Sequence, residues 1–214
     1  MSRSHPPERD LSNDLPSGRM AAMTTQQKLI DSARHLIQTR GYNGFSYADV
    51  AEEVQVRKAS IHHHFPAKSD LARAVVEQSR AIIVEQTRTL GGGAFDPEEQ
   101  LRMYTGYWEK CIADASAPFC VAGMLASELP TLPADLAQDV RTHFRDLSNW
   151  LEIVLTRGAQ LGRFELQGSA RQEAEAFMAM VYGAMLAARA YGDPTVFGDI
   201  VASGLKRLAP AGAR

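Results

Sequence analysis

From Thr24 onward the apolar residues of this chain recur at helical spacings, and no useful stretch shows the strict alternation of a strand. Leu29, Ile30, Ala33, Leu36 and Ile37 step by threes and fours, with Thr24 or Thr25 placed to cap the N-terminus and Gly41 at the C′ position, which predicts a helix over about 25–40. Ser46, with Asp49 three residues on, forms a capping-box-like pair for a short helix over about 46–53 that holds Val50, Ala51 and Val54. A third helix, over about 57–64, stops at Phe65-Pro66, because proline disfavours helical backbone in the residue before it. A fourth opens at Ala67 or Ser69 and carries Leu71, Val75, Val76 and Ile83 to the Gly91-Gly92-Gly93 run.

That glycine run cannot continue a helix and marks a predicted domain boundary. Beyond it, Asp96 as N-cap with Pro97 in the first helical position starts a helix to about 115 with Leu101, Tyr104, Tyr107, Trp108 and Ile112 on one side. Pro118 is expected to open a shorter helix to Leu129. Pro133 begins a long one in which Leu136, Val140, Phe144, Leu147, Leu151, Val154 and Leu155 form the apolar stripe, ending near Gly162. Helices over about 170–191 and 194–208 bring the count to about nine, and no internal repeat interrupts them. Residues 1–23 carry three prolines, no aromatic and balanced charge, and read as a flexible tail that a start at Met20 or Met23 would remove.

At 214 residues the chain has room for one large domain or two small ones, and 45% hydrophobic with 22% charged residues is the balance of an ordinary folded protein. The longest uncharged apolar stretch, Phe177–Ala188, is too short to cross a bilayer, and Met1–Arg19 lacks the apolar segment of a secretory signal. Two cysteines, Cys111 and Cys120, are no disulfide framework, so a cytoplasmic protein is expected. The formal charge of -2 is unevenly distributed: residues 24–90 hold nine Lys/Arg against seven Asp/Glu, and residues 94–214 hold eleven against fifteen. Arg57, Lys58 and Lys68 concentrate the positive part around the third helix, with His62, His63 and His64 between them.

Two short helices joined by a tight turn and backed by a longer one have the dimensions of a helix-turn-helix, over about 46–65, whose second helix enters the DNA major groove. The run Gly44-Phe45-Ser46-Tyr47-Ala48-Asp49-Val50-Ala51, then Val56-Arg57-Lys58-Ala59-Ser60-Ile61-His62-His63-His64-Phe65, then Lys68-Ser69-Asp70-Leu71, resembles the DNA-binding domain of TetR/AcrR-type transcriptional regulators over about 23–83. The resemblance implies an all-α protein with an N-terminal three-helix DNA-binding domain (24–90) and a C-terminal helical domain (94–214) for ligand binding and dimerisation. It also implies a homodimer on a palindromic double-stranded operator, acting as a repressor released by a small apolar or electrophilic effector. Carried over by position, Lys58, Ala59, Ser60, His62 and His64 stand where such proteins touch bases or phosphates, Lys68 where a phosphate contact is usual, and Ser46 and Tyr47 where the second helix meets the backbone. Arg57 and His63 complete the candidate set. His62 departs from the family pattern, in which tyrosine is common at that place.

Consecutive histidines on a helix point about 100° apart, so the triplet does not make a metal site, and no nucleophile, phosphate-loop or metalloprotease motif points to an enzyme or a cofactor. In the resembled family the C-terminal helices enclose an effector pocket. Met103, Tyr104, Tyr107, Trp108, Met124, His143, Trp150, Phe177, Met178 and Tyr182 are its candidate lining, since clustered Met and aromatic side chains suit an adaptable apolar site; each could equally be core. Cys120 joins them as a residue expected just inside a helix N-terminus, where a thiolate is favoured and an electrophile could be sensed, or alternatively as a small buried hydrophobe. The small residues Ala174, Ala176, Ala179, Gly183, Ala184, Ala187, Ala188 and Ala190, with Phe197, Ile200, Val201 and Leu205, form the expected dimer face. The rival reading is a helical small-molecule-binding or interaction protein whose helix-turn-helix no longer functions.

Overall fold

The computed structural model describes residues 23–91 and 95–210; the N-terminal tail and most of the glycine-run boundary lie outside the described residues. Nine α-helices and one 3-10 turn make up the described residues, with no strand among them. They are α1 (Thr25–Arg40), α2 (Tyr47–Val54), α3 (Lys58–His64), α4 (Lys68–Gly91), α5 (Pro97–Ala113), α6 (Val121–Ser127), α7 (Ala134–Gln160), α8 (Ala170–Tyr191) and α9 (Thr195–Leu208), with the 3-10 turn at Leu129–Thr131 between α6 and α7.

Local chemistry sets most of these boundaries. Thr24 Oγ1 accepts from Gln27 N at 3.2 Å to open α1, and Gly41 closes it at φ 76°, a left-handed conformation that L side chains rarely adopt. Ser46 and Asp49 form the full capping box of α2, with Ser46 N donating to Asp49 Oδ2 at 2.7 Å and Ala48 N donating to Ser46 Oγ at 3.1 Å. Gln55, left-handed at φ 58°, ends α2 and makes the tight turn into α3, which stops at Phe65 before Pro66.

The α6 boundary differs from the expected one. The helix begins at Val121 with Cys120 as its N-cap, not at Pro118, because Phe119 is drawn out of helical register: its side chain is buried and its carbonyl accepts Gln38 Nε2 at 2.8 Å. At the other end α6 stops at Ser127, short of the expected Leu129, and Leu129–Thr131 forms a separate 3-10 turn that contains Pro130.

Two apolar clusters hold the chain together. In the C-terminal helices Leu101, Leu147, Leu151, Leu155, Phe177, Val181, Met185 and Phe197 pack α5, α7, α8 and α9 against one another. The N-terminal helices bury Leu29, Ile37, Leu71 and Val75 from α1 and α4, to which α2 and α3 add one buried side chain each, Val50 and Ile61. Each such side chain contributes about 1.5–3 kcal/mol by leaving water. This second cluster continues without a break into Val121, Leu125, Leu136 and Val140 of α6 and α7, so the N-terminal helices share their core with the C-terminal ones.

Candidate functional site

The helix-turn-helix presents one surface. Ile61, fully buried, pins α3 to the core, and turned away from it Arg57, Lys58, Ala59, His62 and His63 are exposed while Ser60 and His64 are half-buried. No ion pair among the described residues uses Arg57 or Lys58. Tyr47 Oη donates to Phe65 O at 2.8 Å and its ring meets the His62 ring edge-on at 4.9 Å, fixing the start of α2 against the end of α3. Ser46 is spent on the capping box, so its hydroxyl faces its own helix first. His62 Nδ1 lies 3.2 Å from Pro66 O. A carbonyl only accepts, so Nδ1 carries the proton and the neutral ring turns Nε2 outward as an acceptor. Donation from His62 to a phosphate therefore requires a second proton.

Lys68, expected as a phosphate contact, is also engaged within the protein. Nζ donates to Tyr42 O and to Phe45 O, each at 2.7 Å, and sits over both rings at 4.3 and 4.6 Å. Two of its three N–H donors thus hold the α1–α2 turn instead of reaching solvent. Burial lowers the pKa of this ammonium, against the opposing pull of Glu128 and Asp49.

Glu128, at the C-terminal end of α6, grips the same turn from the opposite side, and the sequence pattern alone did not single it out. Its carboxylate accepts Tyr42 N at 2.5 Å, and Asn43 N and Asn43 Nδ2 at 3.1 Å each; Asn43 Nδ2 also donates to Thr131 Oγ1 at 2.9 Å. A Cβ on Gly41 would lie 2.7 Å from Glu128 Oε2, so the approach needs glycine there. At the other end of α6, Gln38 Nε2 donates to Phe119 O, and Arg189 of α8 donates to Gln38 O at 3.1 Å while its guanidinium sits 5.7 Å from the Phe119 ring. Both ends of α6 are therefore fastened to α1 or to the turn that follows it.

Beneath the N-terminus of α6 lies a polar cluster inside the C-terminal core. Cys120 Sγ is 3.4 Å from Tyr182 Oη and 4.0 Å from His143 Nε2, and His143 Nε2 is 3.2 Å from Tyr182 Oη. Tyr104 meets Trp150 edge-on at 5.4 Å. Burial pushes His143 down to about 4, pushes the Cys120 thiol up, and raises Tyr104 and Tyr182 well above the ordinary tyrosine range. Of the two readings of Cys120, burial favours the small buried hydrophobe over the thiolate: the residue is an N-cap, 2% exposed, and loss of solvation raises its pKa despite the helix terminus. Phe177 is buried, and Tyr107, Met124 and Met178 are half-buried against the same core. Met103 is the exception, 47% exposed on α5 and away from the others. A crevice of about 40 Å³, lined by Arg34, Gln38, Ser79, Tyr107, Trp108 and Cys120 among others, reaches the cluster from the α1–α4 side.

The expected dimer face divides in two. Ala174, Ala184, Ala188, Phe197, Val201 and Leu205 are buried within the protomer, because they fall on the inward stripes of α8 and α9. Ala176, Ala179, Gly183, Leu186 and Ala190 form the outward stripe of α8, with Leu186 59% exposed and nothing within 4 Å of where a Gly183 side chain would begin.

Comparison with known proteins places this geometry. Residues 29–75 match the family profile described as bacterial regulatory proteins, tetR family, and residues 97–203 match the tetracyclin repressor-like C-terminal domain. A transcriptional regulator of the TetR family from Agrobacterium tumefaciens is 52% identical, over 86% of this chain and 97% of that one, with a TM-score of 0.83. The HTH-type transcriptional regulator CymR of Pseudomonas putida is 40% identical over 67 residues, a match that spans about a third (33%) of CymR's length. The HTH-type transcriptional repressor NemR of Escherichia coli is 22% identical over 77% of this chain and 84% of that protein.

Proposed function

Since the chain belongs to the TetR family of bacterial regulatory proteins, and is a DNA-binding transcriptional regulator and not an enzyme, we propose that it works as a homodimeric repressor released from a palindromic operator by a small-molecule effector. Its place of action is the cytoplasm. The observation that carries this reading is the α3 surface: an exposed Arg57, Lys58, Ala59, His62 and His63, on a helix anchored by Ile61, with Ser60 and His64 at its edge. In this reading α3 enters the major groove and the N-terminus of α2, with Ser46 and Tyr47, lies along the phosphates. The names of its relatives, among them a repressor, support the sign of regulation. The outward stripe of small residues on α8 supports dimerisation, since small side chains let two helices approach closely and an exposed Leu186 gains by being covered. The buried polar cluster below α6 is the effector site, and α6, fastened at both ends to the DNA-binding unit, carries its state outward.

Fluorescence anisotropy with DNA from the gene's own upstream region tests the reading. Affinity should fall steeply with salt, and Lys58→Ala should reduce the slope of log K against log salt by about 1. No saturable binding at about 50 mM salt would sink the proposal.

A further inference from the structure

Histidines close α3, and one of them has its ring held in place. His62 and His63 are exposed and His64 is half-buried, with the rings of His63 and His64 meeting edge-on at 5.4 Å. His62 Nδ1 lies 3.2 Å from Pro66 O, and its ring stands 4.9 Å from that of Tyr47. A carbonyl accepts from the imidazole in its neutral and its charged form alike, so this bond keeps Nδ1 protonated and the ring in one position in both. Protonation then changes a single exposed atom: Nε2 turns from acceptor to donor, and a positive charge arrives with it.

The charged groups on the elements around His62 have other partners. On α2, Asp49 is bonded to Ser46 and Arg40, Glu53 accepts from Ser32, and Glu52 is exposed. At the start of α4, Lys68 donates to the Tyr42 and Phe45 carbonyls, and Asp70 accepts from Ala67 N. Lys58 stands one turn back on α3 itself. Tyr47 is pushed up to about 12, first by burial and then by the charge of Asp70, so it stays an uncharged phenol whose proton is given to Phe65 O.

DNA offers this atom two kinds of partner, and they demand opposite protonation states. A phosphate oxygen only accepts and is met by the doubly protonated ring, whereas a base amino group donates and is met by the neutral one. Base edges are read from the N-terminal part of the helix in the major groove. His62 is in the C-terminal part of α3 and packs on Tyr47, the first residue of the helix whose N-terminus lies along the phosphates in the proposed complex. Resting on the reading of α3 as the DNA-contacting helix, we propose that His62 contacts a backbone phosphate only through its doubly protonated ring, so that each protomer takes up a proton as it binds the operator. The phosphate charge favours the imidazolium in the complex, and by linkage acidification tightens binding.

The test is fluorescence anisotropy of the intact protein on DNA from the gene's own upstream region, at constant ionic strength, from about pH 8 to about pH 6, where an imidazole ordinarily takes up its second proton. Wild-type affinity should rise by about tenfold or more across that range. His62→Tyr supplies a hydroxyl that donates without a second proton, so it should bind more tightly than wild type at the alkaline end and lose the pH dependence. The double variant His63→Asn with His64→Asn should keep that dependence. Nitrogen NMR of the His62 ring at one pH in the middle of the range should show more of the doubly protonated form in the wild-type complex than in the free protein. A flat wild-type profile, affinity that falls with acidity as a base amino partner would require, or a dependence that survives in His62→Tyr or vanishes in the double variant overturns the proposal. If a variant does not fold, the NMR comparison decides, and equal protonation free and bound overturns it. Saturable binding without pH dependence overturns this inference alone, whereas no saturable binding at any pH overturns the functional reading beneath it.

Discussion

Replacing Glu128 by alanine removes the only carboxylate that touches the α1–α2 turn from the C-terminal helices among the described contacts. Three N–H groups lose their acceptor, with distances of 2.5 Å for Tyr42 N and 3.1 Å for both Asn43 donors. The Tyr42 N–H is partly buried and bonded to a charge, and leaving it unpaired costs about 1.5–2 kcal/mol. The Asn43 groups are exposed and regain water, so they add roughly 0.5 kcal/mol together. A total of about 2 kcal/mol is roughly 30-fold in population. It lowers Tm by roughly 4–8 °C for a domain of this size. Because the turn sets the direction of α2, and hence the seating of α3, operator affinity should fall by up to the same factor. Glu128→Gln keeps one acceptor oxygen and should recover part of both losses, while Thr131→Ala, which removes only the Asn43 side-chain partner, should change Tm by little. The assays are thermal unfolding and anisotropy on the same DNA. Tm and affinity unchanged in Glu128→Ala would refute the reasoning.

Lys68→Ala should destabilise the fold by about 2–3 kcal/mol, through two charge-assisted hydrogen bonds and two ring contacts, and leave the salt slope of DNA binding as it was. A slope reduced by about 1 with unchanged Tm would instead make Lys68 a phosphate contact. His143, held down to about 4 by burial against an ordinary value of 6.5, makes stability pH-dependent with a defined sign. The unfolded chain takes up a proton near pH 6.5 that the folded one refuses until about 4, so stability is full above 6.5 and falls as the pH drops toward 4, by roughly 3 kcal/mol at the lower end. Urea midpoints between pH 7 and 4 should therefore fall more steeply for the wild type than for His143→Phe; parallel curves would contradict the assignment.

Much of the architecture was legible in the residues themselves. The steps of three and four in Leu29–Ile37 and Leu136–Leu155, the Ser46–Asp49 box and the Phe65-Pro66 stop are short-range features, and their physics acts within a turn or two of helix. The resemblance carried by Gly44–Leu71 pointed to the exposed face of α3 too, because that face follows a local pattern around the buried Ile61. What the pattern missed has one origin. Lys68 and Glu128 converge on Tyr42–Phe45 from positions 23 to 86 residues away. Cys120 meets Tyr182 across 62 residues, and the α6 start moved to Val121 because Gln38 of α1 took the carbonyl of Phe119. Met103 and the inward half of the α8 alanines were misplaced for the same reason: periodicity says that a helix has an apolar face, and only packing says which neighbour, or none, covers each part of it. The sequence by itself determined the helices, their caps and the family-like recognition surface, since those depend on backbone conformation and local spacing. Tertiary structure alone decided which polar groups lost water and which partners they met: distant segments desolvate the cysteine at a helix start and raise its pKa, and distant carbonyls engage the lysine that is a candidate phosphate contact.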